Sequence, residues 1–199
     1  MDADRLIRKT LGVKHGDSLP FKGWSHRSTR LNLYEIFAAL GYQHGAEIGV
    51  AEGRNAIDML AAVPSLHLTC VDPWRGYGRY SQELCDRRYE LATKNLAGRN
   101  VTIMRMTSLE ASQQVENGSL DFVYIDGDHR FDAVMMDIIL WAPKVRRGGI
   151  IAGHDAYFFY QAGVVDAVMA YTRAHRINDW YVTWEKEATW FWVQKESHA

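Results

Sequence analysis

The stretch GAEIGVAEGRN, Gly45 to Asn55, decides the fold. Its first half is a short apolar run, which predicts a buried strand. Its second half is a glycine-bounded turn that opens the helical pattern RNAIDMLAAV. Gly49 and Gly53 let the backbone approach a ligand closely at that turn. The dinucleotide fingerprint G-x-G-x-x-G wants a glycine where Ala51 stands, and the spacing here is G-x-x-x-G, which argues against a pyrophosphate. Glu47, just upstream of Gly49, suits a cationic ligand such as the amino group of an amino acid. Asn55 is placed to hydrogen-bond the carboxylate of the same ligand.

Outward from this unit the same alternation repeats. LHLTCVD is a second strand ending on Asp72, VTIMRM a third, LDFVYID a fourth, and IIAG, entered through Arg147-Gly148-Gly149, a fifth. Between them lie a polar and aromatic loop with a helix (73–97), the pattern FDAVMMDIILW with Phe131, Val134, Met135 and Ile138 on one face, and the helix GVVDAVMAYTRAH. The C-terminal end reads as a hairpin, WYVTWE against TWFWVQ, joined at Lys186-Glu187-Ala188. Upstream, Leu31, Leu33, Tyr34, Ile36, Phe37 and Leu40 recur at helical spacing, with Ser28 as the expected cap and Gly41 as the stop. Residues 1–27 form a polar leader with a short helix over Ala3–Leu11. The pattern predicts an α/β, doubly wound, seven-stranded, mostly parallel sheet with the last strand antiparallel, spanning 28–199.

A chain of 199 residues, 47% hydrophobic and 24% charged, suits one domain with a sizeable core. A formal net charge of −1 argues against non-specific binding to nucleic acid or to anionic membranes. Cys70 reads as a core thiol, and neither it nor Cys85 sits in a CxxC motif, so no zinc site or disulfide framework is expected. Met1 to Thr10 is charged throughout, unlike a signal peptide, and no run reaches transmembrane length; a cytoplasmic protein is expected. The tryptophans cluster in the C-terminal hairpin, where core packing or a homodimer explains them. Trp24 and the run Trp74 to Tyr80 are candidates for a lid, as is the leader itself.

In doubly wound sheets ligands bind beyond the carboxyl ends of the strands. Those positions hold Glu47 to Gly53, Asp72, Thr107 and Ser108, Asp126 to His129, and His154 with Asp155. Asp72 can accept both ribose hydroxyls of a nucleoside, and Trp74 and Ser108 can flank its base; alone, Asp72 reads equally as the cap of a turn with Pro73. Asp126 and Asp155, with His154 beside them, can hold a hard divalent ion such as Mg²⁺, which would lower the pKa of a substrate hydroxyl. His129 titrates near neutrality and can remove the hydroxyl proton. Each histidine also reads as an ordinary hydrogen-bonded residue, Asp128 as a turn cap, and Asp132 and Asp137 as the solvent face of a helix.

Glu47 to Gly53 resembles motif I of class I methyltransferases, E/D-x-G-x-G-x-G with one glycine replaced. Residues 45–155, with YIDGDH (Tyr124–His129) and GGIIAGHD (Gly148–Asp155), resemble the metal-dependent O-methyltransferases of the catechol and caffeoyl-CoA type. They are closer still to the small bacterial branch near the macrolide-sugar and aminocoumarin enzymes. The resemblance implies a Rossmann-like fold, S-adenosylmethionine as cofactor and a small hydroxylated acceptor. It implies Asp126 as a metal ligand and His129 as the base. At the acidic pair of the fifth strand this chain departs from the pattern with His154, a residue that ligates some divalent ions. Two other readings are carried: the same fold used for hydroxylation or N-methylation, and a non-catalytic nucleoside-binding module.

Overall fold

The structure, a computed structural model, describes residues 2–13, 21–22, 28–156 and 163–195, with the backbone alone at 21–22. In chain order the elements are α1 (Ala3–Leu11), β1 (Phe21–Lys22), α2 (Arg30–Ala39), β2 (His44–Ile48), α3 (Arg54–Ala62), β3 (His67–Val71), α4 (Gln82–Leu96), β4 (Val101–Met104), α5 (Ser108–Ser112), β5 (Leu120–Ile125), α6 (Phe131–Trp141), a 3₁₀ turn (Ala142–Lys144), β6 (Val145–Gly153), α7 (Val164–Ala174), β7 (Trp180–Val182) and β8 (Trp190–Val193).

One sheet runs in the order β1-β7-β8-β6-β5-β2-β3-β4. Strands β2 to β6 pair in parallel, and β8 runs antiparallel between β6 and β7. This is the predicted seven-stranded sheet with one addition: Phe21–Lys22 from the leader pairs with Tyr181 and Val182 at the β7 edge. Two residues are too short to show a period, and an edge strand offers free backbone groups to any extended neighbour.

The central strands β2 and β5 are buried almost throughout because helices cover both faces. One face packs α1, α2, α3 and α4 around Phe37, Tyr42, Met59, Phe122 and Leu96. The other packs α5, α6 and α7 around Ile138, Trp141, Val168, Trp190 and Trp192. The leader helix α1 belongs to the first core: Ile7 and Leu11 are buried there, Arg8 pairs with Asp179 at 2.9 Å, and the Tyr181 hydroxyl donates to Asp4.

The predicted hairpin forms with shorter strands, Trp180–Val182 and Trp190–Val193; Trp180, Trp190 and Trp192 lie in the core, the last two stacked at 5.3 Å, while Trp184 in the connection is exposed. Cys70 and Cys85 are buried free thiols. Among the described residues no helix is long and apolar enough to cross a membrane. Two local expectations change. Thr29, not Ser28, caps α2, because its hydroxyl and the Asn32 side chain form a reciprocal box with the helix backbone. Asp137 does not face solvent: residues 134, 137, 138 and 141 form the buried arc of α6, at i, i+3, i+4, i+7 spacing.

Candidate active site

The turn after β2 is where the chain must come closest to its neighbour. Gly49 has φ 91°, and a Cβ there would lie 2.1 Å from the Asp126 carbonyl oxygen of the next strand end, so no side chain fits. The Asp126 N–H donates to the Ile48 carbonyl at 2.7 Å and the Gly49 N–H to the Val71 carbonyl at 2.8 Å, which fuses three strand ends into one ledge. Gly53, at φ 78°, opens α3 as its N-cap residue.

Asp72 ties this turn down. Its Oδ2 accepts from the Val50 and Ala51 N–H groups at 3.1 and 3.0 Å, and its Oδ1 from the Trp74 N–H at 2.7 Å. These contacts are those of the turn-cap reading of Asp72. Trp74 is buried, tilted against Tyr89, and donates its indole N–H to the Ala51 carbonyl at 2.8 Å. In this state its ring braces the turn. Ala51, Trp74 and Asp155 hold three of the four positive-φ non-glycine conformations found among the described residues. Such conformations persist only where surrounding contacts enforce them, and they cluster at functional sites.

Glu47 is fully buried at the end of β2. Its Oε1 accepts from the Asn55 side-chain amide at 2.9 Å, and Asn55 accepts in turn from the Tyr34 hydroxyl. Its Oε2 has no partner among the described residues. Burial pushes the carboxyl up to about 8, against the hydrogen bond from Asn55 and with the help of the Asp126 and Asp72 charges. An orphaned, buried carboxylate oxygen beside the Gly49 turn fits a cationic group such as an ammonium. Asn55 is committed to Glu47 and Tyr34 here, so the sequence pair Glu47/Asn55 acts as one unit.

Ser108 starts α5. Its Oγ accepts from the Trp141 indole at 2.8 Å and is hydrogen-bonded to Asp137, whose carboxyl burial raises to about 6. Asp137 in turn lies under Gly127: a Cβ on that glycine would sit 3.5 Å from its Oδ2. Asp128 caps the next turn, accepting from the Arg130 N–H at 3.0 Å.

The ends of β5 and β6 bring four predicted residues together. His129 Nε2 lies 2.9 Å from Asp155 Oδ2 and 3.5 Å from Asp126 Oδ1. His154 Nδ1 lies 3.6 Å from Asp155 and 3.9 Å from Asp126. The hydrogen bonds to Asp126 and Asp155 push His129 up to about 10, so in this state it is an imidazolium. Burial alone would raise Asp155, but the bonds from His129 and His154 hold it well below the usual carboxylate range. Burial raises Asp126. For a metal ion, Asp126, His154 and Asp155 each offer one ligand atom, all within 4.8 Å of one another, so the donor set fits a divalent cation. An imidazole between two carboxylates favours a transition metal over Mg²⁺.

Three participants were not singled out in the sequence. Tyr34 lies on α2 and reads there as core. Tyr124, whose hydroxyl meets Thr189 at 3.0 Å, reads as strand. Arg30, at the start of α2, places a guanidinium nitrogen 3.3 Å from His154 Nε2. Only Arg30 carried a signal: a basic residue in a helix's first turn runs against the macrodipole. Trp24 and residues 157–162 lie outside the described residues, as do residues 14–20 and the rest of 23–27 in the leader.

A parallel sheet with its antiparallel strand between β6 and β7, an acid before the glycine turn and an acid ending the next strand define a class I S-adenosylmethionine-dependent methyltransferase. A family model described as "Methyltransferase domain" matches residues 46–156, and the chain belongs to that family. Solved structures share the fold at low identity. A candidate caffeoyl-CoA O-methyltransferase of Staphylococcus aureus superposes with a TM-score of 0.63 at 15% identity, covering 96% of this chain and 90% of that one. An O-methyltransferase of Bacillus cereus in complex with SAH gives 0.62 at 13% identity over 96% and 90%. An uncharacterized protein of Sinorhizobium fredii, y4gI, is 31% identical over 148 residues, 72% of this chain. The chain spans 15% of the length of that curated relative.

Proposed function

We propose that this domain transfers the methyl group of S-adenosylmethionine to a hydroxyl oxygen of a small acceptor. The observation that carries the reading is the Asp126–His129–Asp155 cluster, set directly against the Gly49 turn by the pairing of β2 with β5. On this reading Glu47 receives the ammonium of the cofactor and Asp72 its ribose. The acceptor hydroxyl sits at His129, which takes its proton. The oxygen then attacks the sulfonium methyl in line, and the carbon–sulfur electron pair returns to sulfur as a neutral thioether. Asp126, His154 and Asp155 are the residues that would hold a divalent ion, whose chemistry would be to polarise the acceptor oxygen. His129 serves as a base only in its neutral form, so the cluster must release it from its bridge between the two carboxylates. The caffeoyl-CoA and O-methyltransferase names among the fold relatives agree with this acceptor class.

Calorimetric titration with S-adenosylmethionine, and with NAD as control, tests the cofactor. Saturable binding of the first alone is expected, and no binding would remove the proposal. Mass spectrometry of products from a hydroxylated acceptor panel then tests the chemistry. A gain of one methylene on oxygen is expected. A gain of one oxygen atom would mark a hydroxylase, a methyl on nitrogen an N-methyltransferase, and binding without turnover a nucleoside-binding module.

A further inference from the structure

Among the described residues, Arg30 is a cation without a counter-charge within ion-pair distance. It occupies the first position of α2, where the helix dipole is positive, and no acid lies in that first turn. Its side chain is half-buried, and its one polar side-chain contact among the described residues is His154 Nε2 at 3.3 Å. A guanidinium can only donate, so that ring nitrogen is a bare lone pair and not an anion. Among the described residues no carboxylate lies within ion-pair distance of Arg30. Glu185 and Asp58 act on it only at longer range. Glu185 spends its Oε1 on the Arg30 backbone N–H at 2.7 Å and on the Thr183 and Thr189 hydroxyls at 2.9 and 3.2 Å. Removing a charge from water without a partner is costly, and a planar two-oxygen anion is the strongest partner a guanidinium can take.

The His154 ring lies between Arg30 and the carboxylates, with Nε2 toward the arginine and Nδ1 toward Asp126 and Asp155. An acceptor that reaches both therefore carries an anion on one side and its reacting hydroxyl on the other, about one small ring apart. A single guanidinium balances a single negative charge, which favours a carboxylate over a phosphate dianion. We propose that Arg30 is a specificity-determining residue that selects hydroxylated ring acids, holding their carboxylate while the hydroxyl faces His129. This rests on the O-methyltransferase reading above.

The test is equilibrium binding of para-hydroxybenzoate and of its uncharged analogue para-hydroxybenzamide, measured by calorimetry on the S-adenosylhomocysteine complex. The wild-type chain is expected to bind the acid at least about tenfold tighter than the amide. Arg30→Gln should erase that preference by weakening the acid alone, with S-adenosylhomocysteine affinity kept as the check on folding. Arg30→Met serves the same comparison if the Gln variant fails to fold. Acid bound no tighter than amide by the wild type, no binding of the acid, or a preference that survives in the variants would each overturn the proposal. So would an equal loss of acid and amide, the signature of a residue that only orients His154. Failure to bind S-adenosylhomocysteine would instead sink the methyltransferase reading, and the acid–amide comparison on the free protein would still judge Arg30.

Discussion

Glu47 is a buried carboxyl with one unpartnered oxygen, raised to about 8 by its burial. At pH 7 it is therefore mostly protonated in the free protein. An arriving ammonium favours the ionised form, so cofactor binding should release close to one proton at pH 7, and the release should fall as pH rises through 8. Calorimetry in buffers of different ionisation enthalpy measures this directly. Glu47→Gln should abolish the release and weaken S-adenosylmethionine about tenfold. A proton count near zero for the unaltered chain at pH 7 would show that the ligand does not reach Glu47. His129 differs in being half-exposed and paired to both Asp126 and Asp155. His129→Ala should lower turnover at least about 100-fold while leaving cofactor affinity within roughly twofold. Retained turnover would move the base elsewhere. At this scale the sequence named Glu47, Asp126, His129, His154 and Asp155, because strand ends in parallel sheets converge on one rim. It did not single out Arg30, whose only signal was a basic residue in a helix's first turn, or Tyr34; the roles of both depend on how α2 lies across that rim.

Among the elements, α6 shows most clearly what one-dimensional patterning misses. Its apolar stripe was legible, but Asp137 lies inside the buried arc, bonded to Ser108 and raised to about 6. A carboxyl whose folded pKa exceeds its unfolded value of 3.8 binds more protons in the folded state. Stability should then fall as pH rises from about 4 to about 6 and stay lowered above that. Asp137→Asn, which keeps a hydrogen-bonding partner for Ser108, should remove that fall and gain on the order of 2 kcal/mol at pH 7. Thermal unfolding across that pH range checks it, and a variant less stable than wild type at pH 7 would show that the ionised carboxylate is needed there. α5 and β1 escaped sequence reading for a different reason: five residues and two residues are too short for any period to register.

At the scale of the whole molecule, the leader is partly built into the domain. Ile7 and Leu11 are buried in the first core, and β1 extends the sheet at β7. Removing residues 1–22 should cost about 3–6 kcal/mol from those two side chains alone, or roughly 10 °C in Tm for a chain of this length. An unchanged Tm would mean that α1 is only loosely docked. The sequence by itself determined the alternation of strands and helices, the antiparallel hairpin and the strand-end acids. Strands buried on both faces read as continuous apolar runs, and ligand groups must follow each of them. Only the tertiary structure decided that Asp72 and Trp74 lock the Gly49 turn, that His129 bridges two carboxylates, and that Arg30 reaches His154. Those contacts join residues far apart in the chain, and their geometry comes from sheet order and helix packing, which no local period encodes.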